Sequence, residues 1–293
     1  MHFNNIKKNI KHLINWLLIS FNISFDWLTL NCARHKIVEK SRPLAIFTQT
    51  FNEGDLLLYW EAYYGKLVGY ENLYILNNGG TDDSCSKLNA KTNLINMPDS
   101  INDLHHAMQT QGYFQRFLLL KYKWVLKVDV DEFMVTKENL LEIIDNLPNG
   151  IYAPEMAVAV VHDVNTEKSF NYQNLVCEQR GNFVEELDIM KKPSLASIPA
   201  TWGPGNHSVS EGHKVLNDFW MVHLHSLDLE RLVQRNHRFS LMETTRDTDL
   251  ITKAFSVLKG NDFEFIYNHS RSELASLLEK KRISIPNWIA KKL

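Results

Sequence analysis

Short apolar strands alternate with amphipathic helices through the first half of the chain, and this order constrains the fold more than any other feature. Helical spacing of apolar residues runs from Leu56 to Val68 and from Leu104 to Tyr122. Such alternation predicts βαβ units, and hence an α/β, Rossmann-like fold with a mostly parallel central sheet flanked by helices. The predicted strands are Leu44–Thr50, Leu73–Leu76, Leu94–Met97 and Trp124–Val128.

The pattern becomes less regular from Ile151 onward. We find no repeat, low-complexity tract or clear linker, so residues 43–293 are predicted to form one domain, with one half at 43–150 and an elaborated second half at 151–293. In the second half, strands are predicted at Ala157–Val161 and Phe219–His225, and helices at Leu229–Met242 and Ser272–Lys281.

The first 42 residues have a different character. The stretch from Leu13 to Leu30 is apolar, but Asn15, Asn22 and Asp26 interrupt it. A membrane-spanning helix needs about 20 predominantly apolar residues, so an amphipathic helix is the better interpretation. Such a helix packs on the domain or lies on a membrane surface. We therefore expect a cytoplasmic protein, with residues 1–42 as the point of any peripheral membrane contact.

Composition excludes several classes of protein. Lysine and arginine total 32 against 34 acidic residues, and no basic stripe is present, so nucleic acid is not an expected partner. The three cysteines, Cys32, Cys85 and Cys177, are odd in number and far apart. They predict reduced thiols rather than a disulfide framework or a four-ligand zinc site.

Two aspartates, Asp129 and Asp131, directly follow the fourth predicted strand. In an extended chain alternate side chains point to the same side, roughly 6.6 Å apart along the strand. Two carboxylates at the carboxyl end of a parallel strand suit Mg²⁺ or Mn²⁺, which can bridge the two phosphates of a nucleotide diphosphate. Asp-x-Asp also occurs in solvated acidic loops, but here two other predicted strands also end in polar loops.

Three segments, taken together, resemble a known family. They are Phe51–Asp55, Leu73–Ser84 and Lys127–Phe133. In this order and at these separations they resemble nucleotide-sugar glycosyltransferases with the GT-A fold, in particular the family-two-like group with an Asp-x-Asp-Glu-Phe motif. The resemblance covers residues 44–225. It implies a hexosyltransferase of polysaccharide biosynthesis that transfers a sugar from a nucleotide diphosphate sugar, in particular a UDP-sugar. The acceptor would be a glycan or a lipid-linked molecule, and the transfer would invert the configuration at the anomeric carbon.

The resemblance also implies a donor site with Mn²⁺ or Mg²⁺ as cofactor. Asp129, Asp131 and the late His225 would hold the metal. Glu53 in the first loop would line the nucleotide pocket, although a carboxylate at that position could instead cap the following helix. Relatives carry Ser where this chain has Thr81, so the contacts of that loop differ here. The residues implied to bind the nucleotide or its diphosphate are Thr48, Asn52, Glu53, Asn78, Asp82, Asp129, Lys192 and His207.

Inverting transfer needs a general base that accepts the proton of the acceptor hydroxyl. Glu185, Glu186 and Asp188 precede a Lys-Lys-Pro segment, and the resemblance places an acidic base on this acceptor side. The sequence leaves all three as candidates. Trp202, which precedes a Gly-Pro-Gly segment, is expected to face a sugar ring.

Two other functions fit parts of this pattern. Nucleotidyltransferases also use Asp-x-Asp with Mg²⁺, but they need a glycine-rich basic phosphate loop, and the first loop here, residues 52–55, is acidic. A non-catalytic module that binds nucleotide or carbohydrate would keep the fold without the base. Binding of UDP and Mn²⁺ is common to the transferase and the module, whereas hydrolysis of a UDP-sugar distinguishes them.

Overall fold

The four strands predicted in the first half form one side of a continuous sheet. A computed structural model describes residues 42–97, 104–241, 257–258 and 261–293. The predicted amphipathic segment, with Cys32, lies outside the described residues. Within them, nine strands form the sheet. They are β1 (Arg42–Thr50), β2 (Leu73–Asn77), β3 (Asn93–Asn96), β4 (Tyr122–Lys127), β5 (Glu132–Thr136), β6 (Ile151–Val160), β7 (Phe183–Glu185), β8 (Leu195–Ala196) and β9 (Lys214–His223).

The hydrogen-bonded order of the strands is β3-β2-β1-β4-β8-β6-β9-β5, and β7 pairs with β6. Strands β3, β2, β1 and β4 are mutually parallel, as are β6 and β9. Strand β8 lies antiparallel between β4 and β6, and β5 lies antiparallel beside β9. The α/β fold predicted from the sequence is confirmed, and the mutually parallel strands β1 to β4 lie in the first half of the chain.

Helices cover the sheet. In α1, Leu56, Trp60 and Tyr64 recur at helical spacing and are fully buried. Gly69, with φ 84°, ends this helix in a conformation that favours glycine. The helices are α1 (Asp55–Val68), α2 (Leu104–Leu118), α3 (Leu140–Asn146), α4 (Val176–Gln179), α5 (Leu229–Leu241), α6 (Phe263–Leu278) and α7 (Asn287–Ala290).

Strand β1 is buried on both faces, which explains its continuous apolar run. Leu44 and Ile46 belong to the apolar cluster that includes α1, whereas Ala45 and Phe47 belong to a second cluster that includes α2. Successive side chains of a strand point to opposite faces, so both faces need apolar residues. Phe47 makes an edge-to-face contact with Phe114 of α2, with ring centroids 5.4 Å apart.

Two helix boundaries differ from the sequence-based prediction. Helix α2 ends at Leu118 rather than at Tyr122, because Tyr122 is the first residue of β4 and pairs with Arg42 of β1. Helix α6 begins at Phe263 rather than at Ser272, and Asp262 caps it by accepting a hydrogen bond from Phe265 N. Its first turns carry exposed aromatic residues, which hide the apolar periodicity.

The link from β4 to β5 shows that the sheet bends back on itself. Three strands lie between β4 and β5 in the hydrogen-bonded order, which in a flat sheet would separate them by about 19 Å. The link is nevertheless a tight turn in which Glu132 N donates to Asp129 O at 3.0 Å, and such a turn spans less than about 7 Å. Strand β6 also has a register shift between Pro154 and Met156 in its pairing with β9.

The hydroxyl of Tyr64 joins α1 to β5. It is fully buried, donates to Glu132 O at 2.9 Å and accepts from Met134 N at 2.9 Å. We expect Tyr64→Phe to lower the free energy of unfolding by about 1–3 kcal/mol, because two buried backbone groups lose their partner. Urea denaturation measures this. Tyr63→Phe removes a single, part-buried hydrogen bond to Met134 O, so an equal loss in both variants would contradict the prediction.

Among the described residues, no helix is both long and apolar enough to cross a membrane.

Candidate functional site

The loops after β1 and β2 are bonded to each other at the carboxyl edge of the sheet. Asn52 Oδ1 accepts hydrogen bonds from Thr81 N at 2.6 Å and Asp82 N at 3.0 Å. Gly54 N donates to Asp82 Oδ2 at 2.9 Å. A Cβ on Gly80 would lie 3.2 Å from Asn52 N, so a larger residue there would crowd the first loop. The two predicted nucleotide loops therefore form one surface.

Glu53 does not cap α1. The N-cap of that helix is Gly54, and no side chain caps it. The Glu53 carboxylate instead accepts hydrogen bonds from Arg231 Nη2 and Arg238 Nη2 of α5, each at 2.9 Å. The alternative of helix capping is thus wrong, and the first loop is joined to a helix of the second half.

Two further predicted nucleotide residues differ in their access to solvent. Thr48 is fully buried within β1, with its hydroxyl 3.5 Å from Gln49 O. Asn78 follows β2 directly, is partly exposed, and donates from its backbone N to Thr50 O at 2.9 Å. Asn78 therefore lies on the loop surface, whereas Thr48 lies beneath it.

Asp129 is held by two lysines. Lys127 Nζ donates to Asp129 Oδ1 at 2.6 Å, and Lys192 Nζ donates to Asp129 Oδ2 at 2.7 Å. Lys192 Nζ also lies 2.5 Å from Glu132 Oε1, whose side chain is completely buried. Burial alone would raise the pKa of Asp129, but the two ammonium groups outweigh it and hold that pKa well below its usual range.

Asp131 faces a different set of partners. Its Oδ2 lies 3.6 Å from His223 Nε2, and His223 Nδ1 lies 3.1 Å from Glu186 Oε1. Burial would lower the pKa of His223, but Glu186 and Asp131 raise it to about 10. The prediction that both aspartates extend side by side from a strand is wrong, because β4 ends at Lys127 and the pair lies on the following turn.

His225 completes this cluster. Its ring centroid lies 4.2 Å from that of His223, and burial followed by the charge of His223 lowers its pKa well below the usual value. Its Nδ1 is buried without a hydrogen-bond partner in the described part of the chain. One potential ligand atom from each of Glu186, His223 and His225 lies within 4.8 Å of the others.

This cluster fits a divalent metal ion. Neutral imidazole nitrogen and carboxylate oxygen are ligands for ions such as Mn²⁺, and the unpartnered His225 Nδ1 is available to bind one. Asp131, Glu186 and His223 adjoin it. Both oxygens of Asp129 are instead occupied by lysines. The residues that suit a metal therefore lie on the Asp131 side of the turn.

A cavity of about 370 Å³ opens beside the cluster, and Glu186, His223 and His225 form part of its wall. Arg235 of α5 and Glu273 of α6 also line it. The volume lies in the range of small-molecule sites. The cavity therefore offers space for a substrate next to the carboxylate and the imidazoles.

The three predicted base candidates occupy different environments. Glu186 is mostly buried in the cavity wall and bonded to His223. Glu185 is an exposed residue at the same cavity. Asp188 has 94% of its side chain exposed and pairs with Lys191 at 2.8 Å. Of the three, Glu186 is the one that contacts the histidine cluster.

The remaining predicted residues of the second half lie near Lys192. His207 Nδ1 is 2.7 Å from Ile189 O, and burial and the charge of Lys192 lower its pKa. Trp202 is buried, and its Nε1 donates to Pro193 O at 2.9 Å. Its ring packs in an apolar cluster with Ala200, so the expectation that Trp202 faces a sugar is wrong.

Sequence reasoning missed the arginines of α5. Arg231 and Arg238 bind Glu53, and Arg235 is one of the charges that depress the pKa of Asp131. The three are spaced i, i+4 and i+7 along a predicted helix, which places them on one face. That spacing is the feature of the sequence that could have identified these arginines.

Two solved structures match this chain at low sequence identity and with low TM-scores. No family model and no curated protein matches the sequence. Among solved structures, S. aureus TarS 1-349 matches with 12% identity and a TM-score of 0.36, over 81% of this chain and 75% of that chain. Mannose-1-phosphate geranyltransferase from Thermus thermophilus matches with 10% identity and a TM-score of 0.29, over 78% of this chain and 68% of that chain. Both identities are too low for a comparison of individual side chains.

Proposed function

We propose that this protein is a metal-dependent glycosyltransferase that transfers a sugar from a nucleotide diphosphate donor, in particular a UDP-sugar, to a hydroxyl of a glycan or glycolipid. One observation carries the proposal: two polar loops bonded to each other lie at the carboxyl edge of the sheet, and Asp131, on the turn after β4, faces His223 at 3.6 Å, one of two histidines that line a cavity together with the Glu186 carboxylate. A donor and an acceptor can thus meet at one point. The polar edge of a parallel sheet is where ligands of α/β proteins gather.

The donor would lie on the loops after β1 and β2. Asn52, Asn78 and Asp82 supply amide and carboxylate groups that suit a base N–H and ribose hydroxyls. Thr48 supports this surface from within β1. On the other side of the turn, Lys192 and His207 would face the diphosphate, and Asp129 orients Lys192 through their 2.7 Å ion pair.

The cofactor would be Mn²⁺ or Mg²⁺, held by Asp131 and His225. When bound, the ion supplies a Lewis acid that withdraws charge from the departing diphosphate. Imidazole nitrogen suits Mn²⁺ better than Mg²⁺, so we expect Mn²⁺ to be preferred. Asp129 would contribute through its lysines rather than as a direct ligand, because both its oxygens are already paired.

Glu186 would act as the general base. Its carboxylate accepts the proton of the acceptor hydroxyl while that oxygen forms a bond to the anomeric carbon. The bond from this carbon to the diphosphate oxygen breaks, and its electron pair leaves with the nucleotide diphosphate. Attack opposite the leaving group inverts the anomeric centre. His223, bonded to Glu186 at 3.1 Å, holds the carboxylate in place.

We expect Glu186→Gln to lower kcat about a hundredfold, because the amide cannot accept the proton. Affinity for UDP should change little, since the proposed donor contacts come from other residues. Steady-state kinetics and UDP titration calorimetry measure the two quantities. Glu185→Gln and Asp188→Asn test the other candidates and should retain most of the activity. A loss at either of them equal to that of Glu186→Gln would reassign the base.

The proposed function is tested by a donor screen. The protein is incubated with UDP-sugars and GDP-sugars, with and without Mn²⁺, and released UDP or GDP is detected by mass spectrometry. We expect Mn²⁺-dependent release from at least one donor. Binding of UDP without release from any donor would favour a non-catalytic module, and release of pyrophosphate from a nucleoside triphosphate would favour a nucleotidyltransferase.

A further inference from the structure

A cluster of three charged residues joins the first donor loop to α5. Glu53 accepts hydrogen bonds from Arg231 and Arg238, at sequence separations of 178 and 185 residues. Arg238 Nη1 also donates to the backbone oxygen of Asn52 at 2.9 Å. We name this set, Glu53 with Arg231 and Arg238, the Glu53 clamp.

The loop that the clamp holds has an unusual backbone. Asn52 has φ 54° and Gly54 has φ 56°, both in the left-handed region, which is uncommon for a residue other than glycine. Asn52 also uses its side chain to bind the backbone of Thr81 and Asp82 in the second loop. The conformation of both donor loops therefore depends on the contacts around Asn52, and one of these comes from α5.

The charges of the clamp are largely removed from water. The side chain of Arg231 is 7% exposed, and those of Arg238 and Glu53 are each 19% exposed. Loss of one member of a buried ion pair leaves its partner uncompensated. Removal of the Glu53 charge would thus release α5 from the loop rather than merely alter one surface contact.

We infer that Glu53 is a positioning residue: the Glu53 clamp holds α5 against the first donor loop, and binding of a nucleotide diphosphate depends on that attachment. The inference rests on the proposed function for the identity of the ligand. It assigns the carboxylate of Glu53 to the arginines rather than to the nucleotide. It also makes α5, a helix of the second half, part of the donor site.

The test is titration calorimetry of the full-length protein with UDP and with GDP, in the presence of Mn²⁺. We expect Glu53→Gln and Arg238→Gln each to weaken binding at least tenfold. The double variant should bind the nucleotide with an affinity no more than about threefold below that of the single variant that binds less tightly. The effects of residues that act as one unit are not additive. Arg238→Lys, which keeps the charge, should recover part of the affinity.

Two matched controls carry the same changes elsewhere. Glu230→Gln removes an exposed carboxylate of α5, and Arg271→Gln removes an exposed arginine of α6; both should bind within about twofold of the natural protein. Hydrogen exchange should rise in residues 51–54 and 229–241 in both clamp variants, but not in β4. That pattern verifies that a variant has lost the attachment and not its fold.

Three outcomes would overturn the inference. Weakening by Glu53→Gln without weakening by Arg238→Gln would mean that Glu53 contacts the nucleotide itself. Fully additive losses would mean that the residues act independently, and unchanged affinity in every variant would mean that the attachment is irrelevant to binding. Failure of the natural protein to bind UDP or GDP would instead refute the proposed function, so the two failures are distinct.

Discussion

Replacement of Asp131 by asparagine is expected to lower kcat/KM about a thousandfold with any active donor. A metal that stabilises the leaving diphosphate supplies several kcal/mol, and each 1.36 kcal/mol corresponds to a factor of ten in rate. Asparagine keeps the shape of the side chain but loses its charge. It thus also loses the carboxylate that faces His223 at 3.6 Å. Enzyme kinetics with saturating Mn²⁺ measure the loss in rate.

Asp129→Asn is the matched control, because it makes the same change two residues earlier. We expect this variant to retain Mn²⁺ binding, measured by electron paramagnetic resonance without any nucleotide, whereas Asp131→Asn should lose it. Retention of full activity by Asp131→Asn would refute the metal assignment. Equal loss of Mn²⁺ binding in both variants would instead make Asp129 a direct ligand.

Replacement of Lys192 by methionine is expected to lower the free energy of unfolding by about 3–5 kcal/mol. The ammonium group lies 2.5 Å from Glu132 Oε1 and 2.7 Å from Asp129 Oδ2, with only 8% of the Lys192 side chain exposed. Methionine fills similar space but leaves the completely buried Glu132 carboxylate without its cation. Urea denaturation followed by circular dichroism measures the change.

Lys191 provides the control for this prediction. It pairs with the exposed Asp188, so Lys191→Met should change the free energy of unfolding by less than about 1 kcal/mol. Lys192→Arg, which keeps the charge, should recover much of the stability. A Lys192→Met variant as stable as Lys191→Met would show that the Glu132 carboxylate is compensated by other groups.

The first half of the fold was predictable because its strands are covered on both faces. Strand β1 therefore appears as an unbroken apolar run, and α1 buries one complete stripe. Strands β7 and β8 were not predicted, because three and two residues are too few to show a periodicity. Strand β5 was also missed, because its first two residues, Glu132 and Phe133, belong to the Lys127–Phe133 segment, which was interpreted as a motif that follows the fourth strand.

Individual residues of the candidate site could be predicted from the sequence, but their arrangement in space could not. Asp131, Glu186 and His225 were each singled out from the sequence, and their proposed roles remain predictions. Their proximity depends on the pairing of Glu132 with His223 across β5 and β9, and a sequence does not specify register between strands so far apart. For the same reason the partners of Glu53, at separations of 178 and 185 residues, could not be predicted.

The placement of β5 affects how a nascent chain must fold. Although β5 follows β4 after a single turn, its sheet partner among the described residues is β9, which pairs Phe219 with Thr136. Roughly 80 residues must leave the ribosome between the two strands, which takes on the order of ten seconds. During that time Phe133, Met134 and Val135, all buried in the finished fold, have no strand to join. Until β9 has been made, this short apolar segment is therefore exposed to aggregation or to capture by a chaperone.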